Sequence, residues 1–370
     1  MGKSLIWINA CEASADAYGA LLMQELRRLS PEMEIMGMGG QAMRDQGLDT
    51  VYNAEDLSLV GLTEVFTALP RIAGYLGRIR RILMVRRPKA MVLMDSPDFN
   101  FRLARMACDF GIPVTYYIAP QVWAWRKSRI RFLKKYVRQI ACIFPFEQGF
   151  FREHGISARY VGHPLLDLVD LDRLWNFSPR NSQIALLPGS RKREIAYLLP
   201  LFTDVAQHLH QRRPDLVFGV VRAPGVSMEF LHRHTLERPF LRFISPENRH
   251  RFIRQSSMAL AASGTITLEC AVLDVPAVVA YRLSWASYLA GRLLINVPYI
   301  SMPNLILDRA VYPELIQNRA TVHNLLRAAN LWLANPAEKQ IVRKELHKIR
   351  GLLGKQKATR TCARMVLDSL

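Results

Sequence analysis

The sequence predicts an α/β protein built from two parallel-sheet halves. Three observations carry this. Short apolar runs of strand length alternate with longer stretches whose apolar residues recur at helical spacing. This rhythm breaks once, over the Pro- and Asp-bearing stretch Leu166–Pro179, and then restarts. The chain has 370 residues, 50% of them hydrophobic, enough for two domains with a core each. Repeated strand–helix–strand units close most simply as a parallel sheet covered on both faces.

In the first half, Leu5–Asn9 reads as a buried strand. Lys3 before it and Ala10-Cys11 after it faintly suggest a lipoprotein signal, but the apolar run is too short for one. A loop containing Glu12 and Ser14 leads into a helix over Tyr18–Leu29, with Leu21, Leu22, Leu26 and Leu29 on one face. Glu34–Met38 is the next strand, ended by Gly39-Gly40. Leu57–Leu83 mixes many aliphatic residues with Arg71, Arg78, Arg80 and Arg81. That pattern suits a core-facing helix and also a basic, apolar surface lying on an anionic bilayer; the residues leave both open. Ala90–Met94 is a buried strand that delivers Asp95 at its carboxyl end, where open parallel sheets line their ligand crevice. Asp95 is the better candidate for a base. Asp98 follows a proline and precedes a helical pattern, so it is either a helix cap or a reacting group. Asn100 completes that motif. Val114–Ile118 is a strand, followed by a rigid aromatic turn over Pro120–Trp125 and a basic helix. No recognisable RNA- or DNA-binding motif accompanies those cations, so no nucleic acid is expected. Ile140–Phe144 and Tyr160–Val161 read as strands, and His163, beside Pro164, as a turn residue.

The second half opens on the strand Gln183–Leu187, the turn Pro188-Gly189-Ser190-Arg191 and a helix from Glu194 to Leu209. A strand turning through Pro-Gly-Ser into a helix presents unpaired N–H groups and a positive dipole end. Arg191, Lys192 and Arg193 follow at once, so the natural guest is an anion, a phosphate by preference. Leu216–Val221, Met258–Ala262 and Ala277–Ala280 continue the sheet. Ser263-Gly264-Thr265 makes a second Gly-containing strand-to-helix turn, with Glu269 one helical turn beyond Thr265. Hydroxyls at such a turn suit phosphate, and a carboxylate one turn on suits ribose hydroxyls. Asn304, Glu314 and Gln317 then fall between prolines, and Lys339–Arg364 forms a basic tail that packs back on the protein. The expected organisation is 1–168 for the first domain, 169–345 for the second and 346–370 for the tail.

Composition narrows the function. A formal net charge of +19 points to an anionic partner: nucleic acid, a membrane surface or a phosphorylated substrate. Five scattered cysteines with no CxxC pair argue against a zinc site and a disulfide framework. No run of about 18 apolar residues occurs, so no transmembrane helix is expected.

Taken in order, the motifs resemble those of the lipid A disaccharide synthases, glycosyltransferases of the GT-B fold. The likeness covers nearly the whole chain. It runs through Glu12-Ala13-Ser14, Gly61-Leu62-Thr63-Glu64-Val65, Asp95-Ser96-Pro97-Asp98-Phe99-Asn100 and Pro120-Gln121-Val122-Trp123-Ala124-Trp125-Arg126. Pro145-Phe146-Glu147, Gly162-His163-Pro164, Leu187-Pro188-Gly189-Ser190-Arg191, Ser263-Gly264-Thr265, Pro303-Asn304 and Glu314-Leu315-Ile316-Gln317 complete it. The pairing of Trp-Ala-Trp-Arg with Pro-Gly-Ser-Arg is what makes the likeness specific.

The resemblance implies two Rossmann-like domains facing across a cleft, with the acceptor on the first and a UDP-sugar on the second. It implies that UDP-2,3-diacylglucosamine donates its sugar to 2,3-diacylglucosamine 1-phosphate (lipid X), with inversion and without a metal or other cofactor. Asp95 is then the catalytic base. Glu12, Ser14, Asp98 and Asn100 lie on the acceptor side. Gly189, Ser190, Arg191, Ser263, Gly264, Thr265, Glu269, Asn304, Glu314 and Gln317 bind the donor. A peripheral location on the cytoplasmic face of the inner membrane follows, against an anionic surface, with homo-oligomerisation left open. The alternative is a non-catalytic or altered-specificity homologue on the same surface. One departure stands out: the family's usual Gly-Glu-x-Ser-Gly-Asp reads Cys11-Glu12-Ala13-Ser14-Ala15-Asp16. If either glycine position needs a positive φ, the replacement costs about 1 kcal/mol or more.

Overall fold

The computed structural model describes residues 4–54, 65–120, 122–123, 128–235, 238–282, 298–354 and 357–370. They form two compact units, Met1–Leu168 with Leu353–Leu370, and Val169–Leu352. Each is a Rossmann-like parallel sheet with helices, as the alternation of runs predicts. The motif residues Gly61–Glu64, Gln121 and Ala124-Trp125-Arg126 lie outside the described residues.

The first unit's strands are β1 (Leu5–Ala10), β2 (Glu34–Gly39), β3 (Asp49–Asn53), β4 (Ala90–Met94), β5 (Val114–Tyr117), β6 (Gln139–Cys142) and β7 (Ala158–Tyr160). Their spatial order is β3-β2-β1-β4-β5-β6-β7, every neighbouring pair parallel. The chain moves outward one way from β1 and the other way from β4, so the β1/β4 junction is the topological switch point. β1 and β4 are buried along their whole length, which is why they read as continuous apolar runs. Strands β1 and β2 approach closely at Gly37, where an added Cβ would lie 1.9 Å from the Ile8 carbonyl oxygen.

In the second unit β8 (Arg180–Leu187), β9 (Val217–Val221), β10 (Leu241–Ile244), β11 (Ser256–Ala262), β12 (Ala277–Tyr281) and β13 (Glu314–Ile316) follow the order β10-β9-β8-β11-β12-β13, again all parallel. The switch point is β8/β11. Three strands, β3, β10 and β13, have no counterpart among the expected ones, and all three are sheet edges. An edge strand buries less of itself: β3 has exposed ends and a half-buried centre, and β13 is half-buried throughout. The apolar run that marks a central strand is therefore missing.

Helix α1 (Ala13–Leu29) buries Tyr18, Leu22, Met23 and Leu26, with Leu21 and Leu29 only half-buried beside that stripe. Helix α2 (Gln41–Asp45) follows β2. Helix α3 (Val65–Arg86) turns Ile79 and Leu83 into the core and leaves Met84 and Val85 exposed at 53% and 71%. Its arginines engage neighbours on the surface: Arg80 pairs with Asp109 at 3.5 Å and Arg86 with Glu34 at 3.1 Å. Helix α4 (Pro97–Asp109) follows β4, α5 is Arg129–Tyr136, and α6 is Pro145–Glu153. In the second unit α7 is Lys192–Arg212, α8 Arg249–Gln255, α9 Thr265–Val272 and α10 Met302–Leu307. Val322–Ala334 and Pro336–Leu352 form α11 and α12.

The stretch expected as a separate tail from 346 is divided. Its start is the last turn of α12 in the second unit, and α13 (Ala358–Leu367) belongs to the first, packed on α1. Cys362, Ala363 and Val366 of α13 are buried, so this helix is part of the first core.

Candidate functional site

Each switch point carries a cluster of the candidate residues. In the first unit Ala10 and Met94 stand opposite each other at the carboxyl ends of β1 and β4, and Asp95 comes next. Asp95 and Ser96 both have positive φ, 55° and 28°, and Ile118 at the end of β5 has φ 61°. Non-glycine residues held there cost about 1–3 kcal/mol each and cluster at functional sites. The turn is held from four directions. The Asp95 carboxylate accepts N–H bonds from Cys11 (3.3 and 3.2 Å) and Glu12 (2.8 Å). The Asp95 carbonyl accepts from the Tyr116 hydroxyl (2.6 Å) and from Asn100 Nδ2 (3.0 Å).

Burial is the main force on the Asp95 carboxyl, and the nearby Glu12 charge adds to it; the Glu12 and Cys11 N–H groups pull the other way. The outcome is a pKa well above the usual carboxylate value. A carboxyl whose pKa is raised by desolvation and a like charge is better suited to accepting a proton than an ordinary carboxylate.

The other first-unit candidates separate into roles. Glu12 is exposed at the N-cap of α1, and Ser14 is half-buried in its first turn. Asp98 is not the cap: Ser96 holds that position, Pro97 is the first helical residue, and Asp98 pairs with Arg129 Nη2. Asn100 is fully buried, and its contacts are internal: Nδ2 donates to the Met94 (2.7 Å) and Asp95 carbonyls, and Oδ1 accepts from Asn9 Nδ2 (2.7 Å). These contacts brace the turn that carries Asp95. Cys11 and Ala15 are absent from the positive-φ positions, so the loss of the family's glycines carries no backbone strain. Ala15 lies inside α1, where alanine is the better helix former. Asp16 is buried and accepts N–H bonds from Gly40 (2.7 Å), Ala42 (2.9 Å) and Met43 (3.1 Å), capping α2.

Two further motif residues are buried. Glu147 accepts from Trp123 Nε1, Ile143 N and Phe144 N, each at 3.1 Å, while burial lifts its pKa to about 7. Burial pushes His163 down to about 3, and its Nδ1 accepts the Leu165 N–H at 3.1 Å. It is a neutral turn residue, as its sequence context suggests.

In the second unit, β8 and β11 end on the two glycine turns, side by side. Gly189 has φ 103° and Gly264 φ 135°, conformations that L side chains rarely adopt. Arg191 is the N-cap of α7, so Gly189-Ser190-Arg191 does form the turn onto a helix N-terminus. Ser190 is exposed, and Arg191 pairs with Glu194 at 3.5 Å while remaining 63% exposed. At the second turn, the Ser263 hydroxyl donates to the Ile300 carbonyl at 3.0 Å, and Thr265 is the half-exposed first residue of α9.

Glu269 is buried and bound by two residues that no local signal in the sequence reveals, Arg249 (Nε, 3.2 Å) and His250 (Nε2, 2.9 Å) on α8. Burial acts to raise its pKa, but those bonds and charges outweigh burial and hold it below the usual range. Both contacts fall on Oε2; among the described residues Oε1 has none.

Asn304 and Glu314 are bonded to each other and to neighbouring backbone. Asn304 is fully buried: Nδ2 donates to the Tyr312 carbonyl and to Glu314 Oε1 (2.8 Å each), and Oδ1 accepts from Val311 and Tyr312 N–H (2.9 and 2.8 Å). Glu314 also accepts from Ile300 N (3.0 Å), Ser301 N (2.9 Å) and Ser301 Oγ (2.7 Å). With every amide proton committed, Asn304 braces the segment that Ser263 also holds. Gln317 is buried at the end of β13 with φ 53°.

Comparison with known proteins agrees with this architecture. A family model described as lipid-A-disaccharide synthetase matches residues 6–366. The lipid-A-disaccharide synthase of Solibacter usitatus is 39% identical over 332 residues, covering 88% of this chain and 86% of that protein. That of Myxococcus xanthus is 36% identical over 374 residues, covering 99% and 97%. Among solved structures, the UDP-GlcNAc 2-epimerase of Neisseria meningitidis bound to UDP-GlcNAc superposes with a TM-score of 0.68 at 13% identity, over 99% and 100% of the chains. Arabidopsis thaliana UGT89C1 complexed with UDP gives 0.65 at 12% over the whole of both. At such identities these two speak for the GT-B-like fold alone. From the match along nearly its whole length, the chain belongs to the lipid-A-disaccharide synthase family.

Proposed function

We propose that the chain joins UDP-2,3-diacylglucosamine to 2,3-diacylglucosamine 1-phosphate, giving a β-1,6-linked tetraacyl disaccharide 1-phosphate and UDP. The observation that carries this is the strained, four-sided hold on Asp95 at the β1/β4 switch point. The first unit takes the acceptor and the second the donor. Asp95 removes the proton of the acceptor 6-hydroxyl as its oxygen attacks the donor anomeric carbon. The bond from that carbon to the β-phosphate oxygen breaks, and its electron pair leaves with UDP. Attack opposite the leaving group inverts the centre through an oxocarbenium-like transition state.

Charge on the departing phosphate is met by Arg191 and by the N-terminus of α7 behind Gly189 and Ser190. Arg191 is mostly exposed, and its 3.5 Å pair with Glu194 is a surface one, an interaction worth little that a phosphate can replace. Thr265 and the Gly264 turn add phosphate contacts, with Ser263 shaping the turn. Glu269, oriented by Arg249 and His250, offers Oε1 to ribose hydroxyls. Gln317 completes the donor side, while Asn304 and Glu314 hold its wall in place. On the first unit, Glu12, Ser14 and Asp98 border the acceptor. The exposed Met84 and Val85 beside Arg81, Arg86 and Arg87 form the part of α3 that meets acyl chains and an anionic bilayer surface.

The test is Asp95→Asn assayed with both acylated glucosamines, together with UDP binding by calorimetry. Turnover is expected to vanish with UDP affinity nearly unchanged. Surviving activity would move the base to Asp98 or Glu12.

A further inference from the structure

A second concentration of positive charge lies in the second unit, away from both glycine turns. A cavity of about 350 Å³ is lined by Asn181 at the start of β8, Arg213 at the end of α7, and Lys339, Gln340 and Arg343 on α12. Asn181 and Pro188 bracket β8, and at about 3.3 Å per residue the cavity is on the order of 23 Å from the donor turn.

Its cations are poorly matched by acids. Lys339 is 8% exposed, lines the cavity, and its ammonium has no ion pair or side-chain hydrogen bond among the described residues. Arg343 Nε is buried without a hydrogen-bond partner among the described residues. Arg213 is paired with Asp215 at 2.6 Å on the open side. Deeper in, Asp274 is the acid facing Arg343, Arg254 and Arg350; Arg350 holds its Oδ2 at 3.1 Å. Glu338, next on the helix, is exposed. Burial, then the charges of Arg343 and Arg213, press the Lys339 pKa below its ordinary value. A buried donor left without a partner, as Arg343 Nε is, costs about 1–3 kcal/mol, and Lys339 presents its ammonium to the same cavity, so an anion arriving from outside is favoured. The N-terminus of α12, opening at Pro336, adds its positive dipole end to the same cavity.

We propose that this cavity is a second anion site, taking a compact phosphate-bearing ligand between Lys339, Arg343 and Arg213. Its volume sits at the low end for small-molecule sites, which suits a phosphate or phosphomonoester group rather than a whole nucleotide sugar. The same group can come from solution or from a lipid headgroup.

The experiment is competitive labelling on the full chain. Lysines are acetylated briefly with and without inorganic phosphate at constant ionic strength, and Lys339 modification is read by mass spectrometry. A second arm replaces phosphate with phosphatidylcholine vesicles containing phosphatidic acid. Saturable protection of Lys339 by phosphate assigns a soluble ligand; protection by the vesicles alone assigns a headgroup. Protection by neither overturns the proposal. In calorimetry with phosphate, Lys339→Met is expected to lose about tenfold or more in affinity, the scale of one charge-assisted hydrogen bond, while Arg191→Ala retains the site. Equal affinity in wild type and Lys339→Met overturns it as well. The labelling arm uses only the wild-type chain, so a folding defect in the variant leaves a decisive result.

Discussion

Asn100→Ala separates a brace from a substrate contact. Asn100 is fully buried and serves three polar groups: the Met94 carbonyl at 2.7 Å, the Asp95 carbonyl at 3.0 Å and the Asn9 amide at 2.7 Å. Removing it strips a partner from each. The Asp95 carbonyl keeps Tyr116, and the Asn9 amide keeps only a 3.4 Å contact with Cys11 Sγ. A buried polar group left unsatisfied costs about 1–3 kcal/mol; with one of the three retaining a good partner, the expected loss of stability is about 2–4 kcal/mol. The same bonds hold Asp95 and Ser96 at positive φ, so the turn is expected to relax toward ordinary backbone geometry. A displacement of the base by about 1 Å is enough to lower kcat about a hundredfold. Urea unfolding reads the first effect, and steady-state kinetics with the two acylated glucosamines read the second. A brace gives an earlier unfolding midpoint and lower kcat with little change in acceptor KM. An unchanged midpoint with only a raised acceptor KM would refute the reasoning and return Asn100 to the acceptor surface.

Arg191→Ala is expected to weaken UDP binding and lower kcat together, since one group serves both bound and departing phosphate; wild-type UDP affinity in the variant would undo that assignment. Asn304→Ala is expected to behave as Asn100→Ala does, losing about 2–4 kcal/mol in urea unfolding, because four internal hydrogen bonds disappear at a fully buried position. A stability equal to wild type with a raised donor KM would make it a direct contact. Glu12→Gln probes the pH profile. A base must be ionised, so kcat/KM rises with pH through the raised Asp95 pKa. The Glu12 charge is the second cause of that rise, after burial, so removing it is expected to move the acid limb to lower pH. An acid limb that stays in place, or moves up, contradicts it.

Central strands and glycine turns were legible because their signals are local. β1 and β4 are apolar almost throughout, β8 and β11 become so from Ile184 and Met258 onward, and Gly189 and Gly264 sit where only glycine turns easily. Asp95 was legible for the same reason: the residue after a buried parallel strand lies at the ligand edge. What escaped is set by distant partners. Asn100 and Asn304 look from sequence like amides available to a sugar, and only the fold shows their hydrogen bonds spent on backbone within the protein. Arg249 and His250 stand 20 and 19 residues from Glu269 with no spacing rule that joins them. The edge strands β3, β10 and β13 lack the two-sided burial that writes a strand into composition.

The two switch points reach tight turns by different means, and the difference follows their chemistry. At the second unit's switch point the two positive-φ positions, Gly189 and Gly264, are glycines, so N–H groups there can approach a phosphate without a side chain intervening. At Gly189 even a Cβ would come within 2.7 Å of Glu194 Oε2. Phosphate binding asks for access and tolerates some latitude in angle. In the first unit the strained position is an aspartate, and in the mechanism we propose its carboxylate is the working group. Glycine's freedom is then not available, and the left-handed geometry of Asp95 is stabilised by Tyr116, Asn100 and the N–H groups of Cys11 and Glu12. Those two N–H bonds lower the carboxyl pKa while burial and Glu12 raise it, so the bonds that fix the geometry also limit the rise. Position and basicity of the base are therefore coupled through the loop that carries Cys11 and Glu12. A cysteine in place of the glycine that the resemblance implies leaves this hold intact, because Asp95 accepts from the Cys11 backbone N–H and not from its side chain.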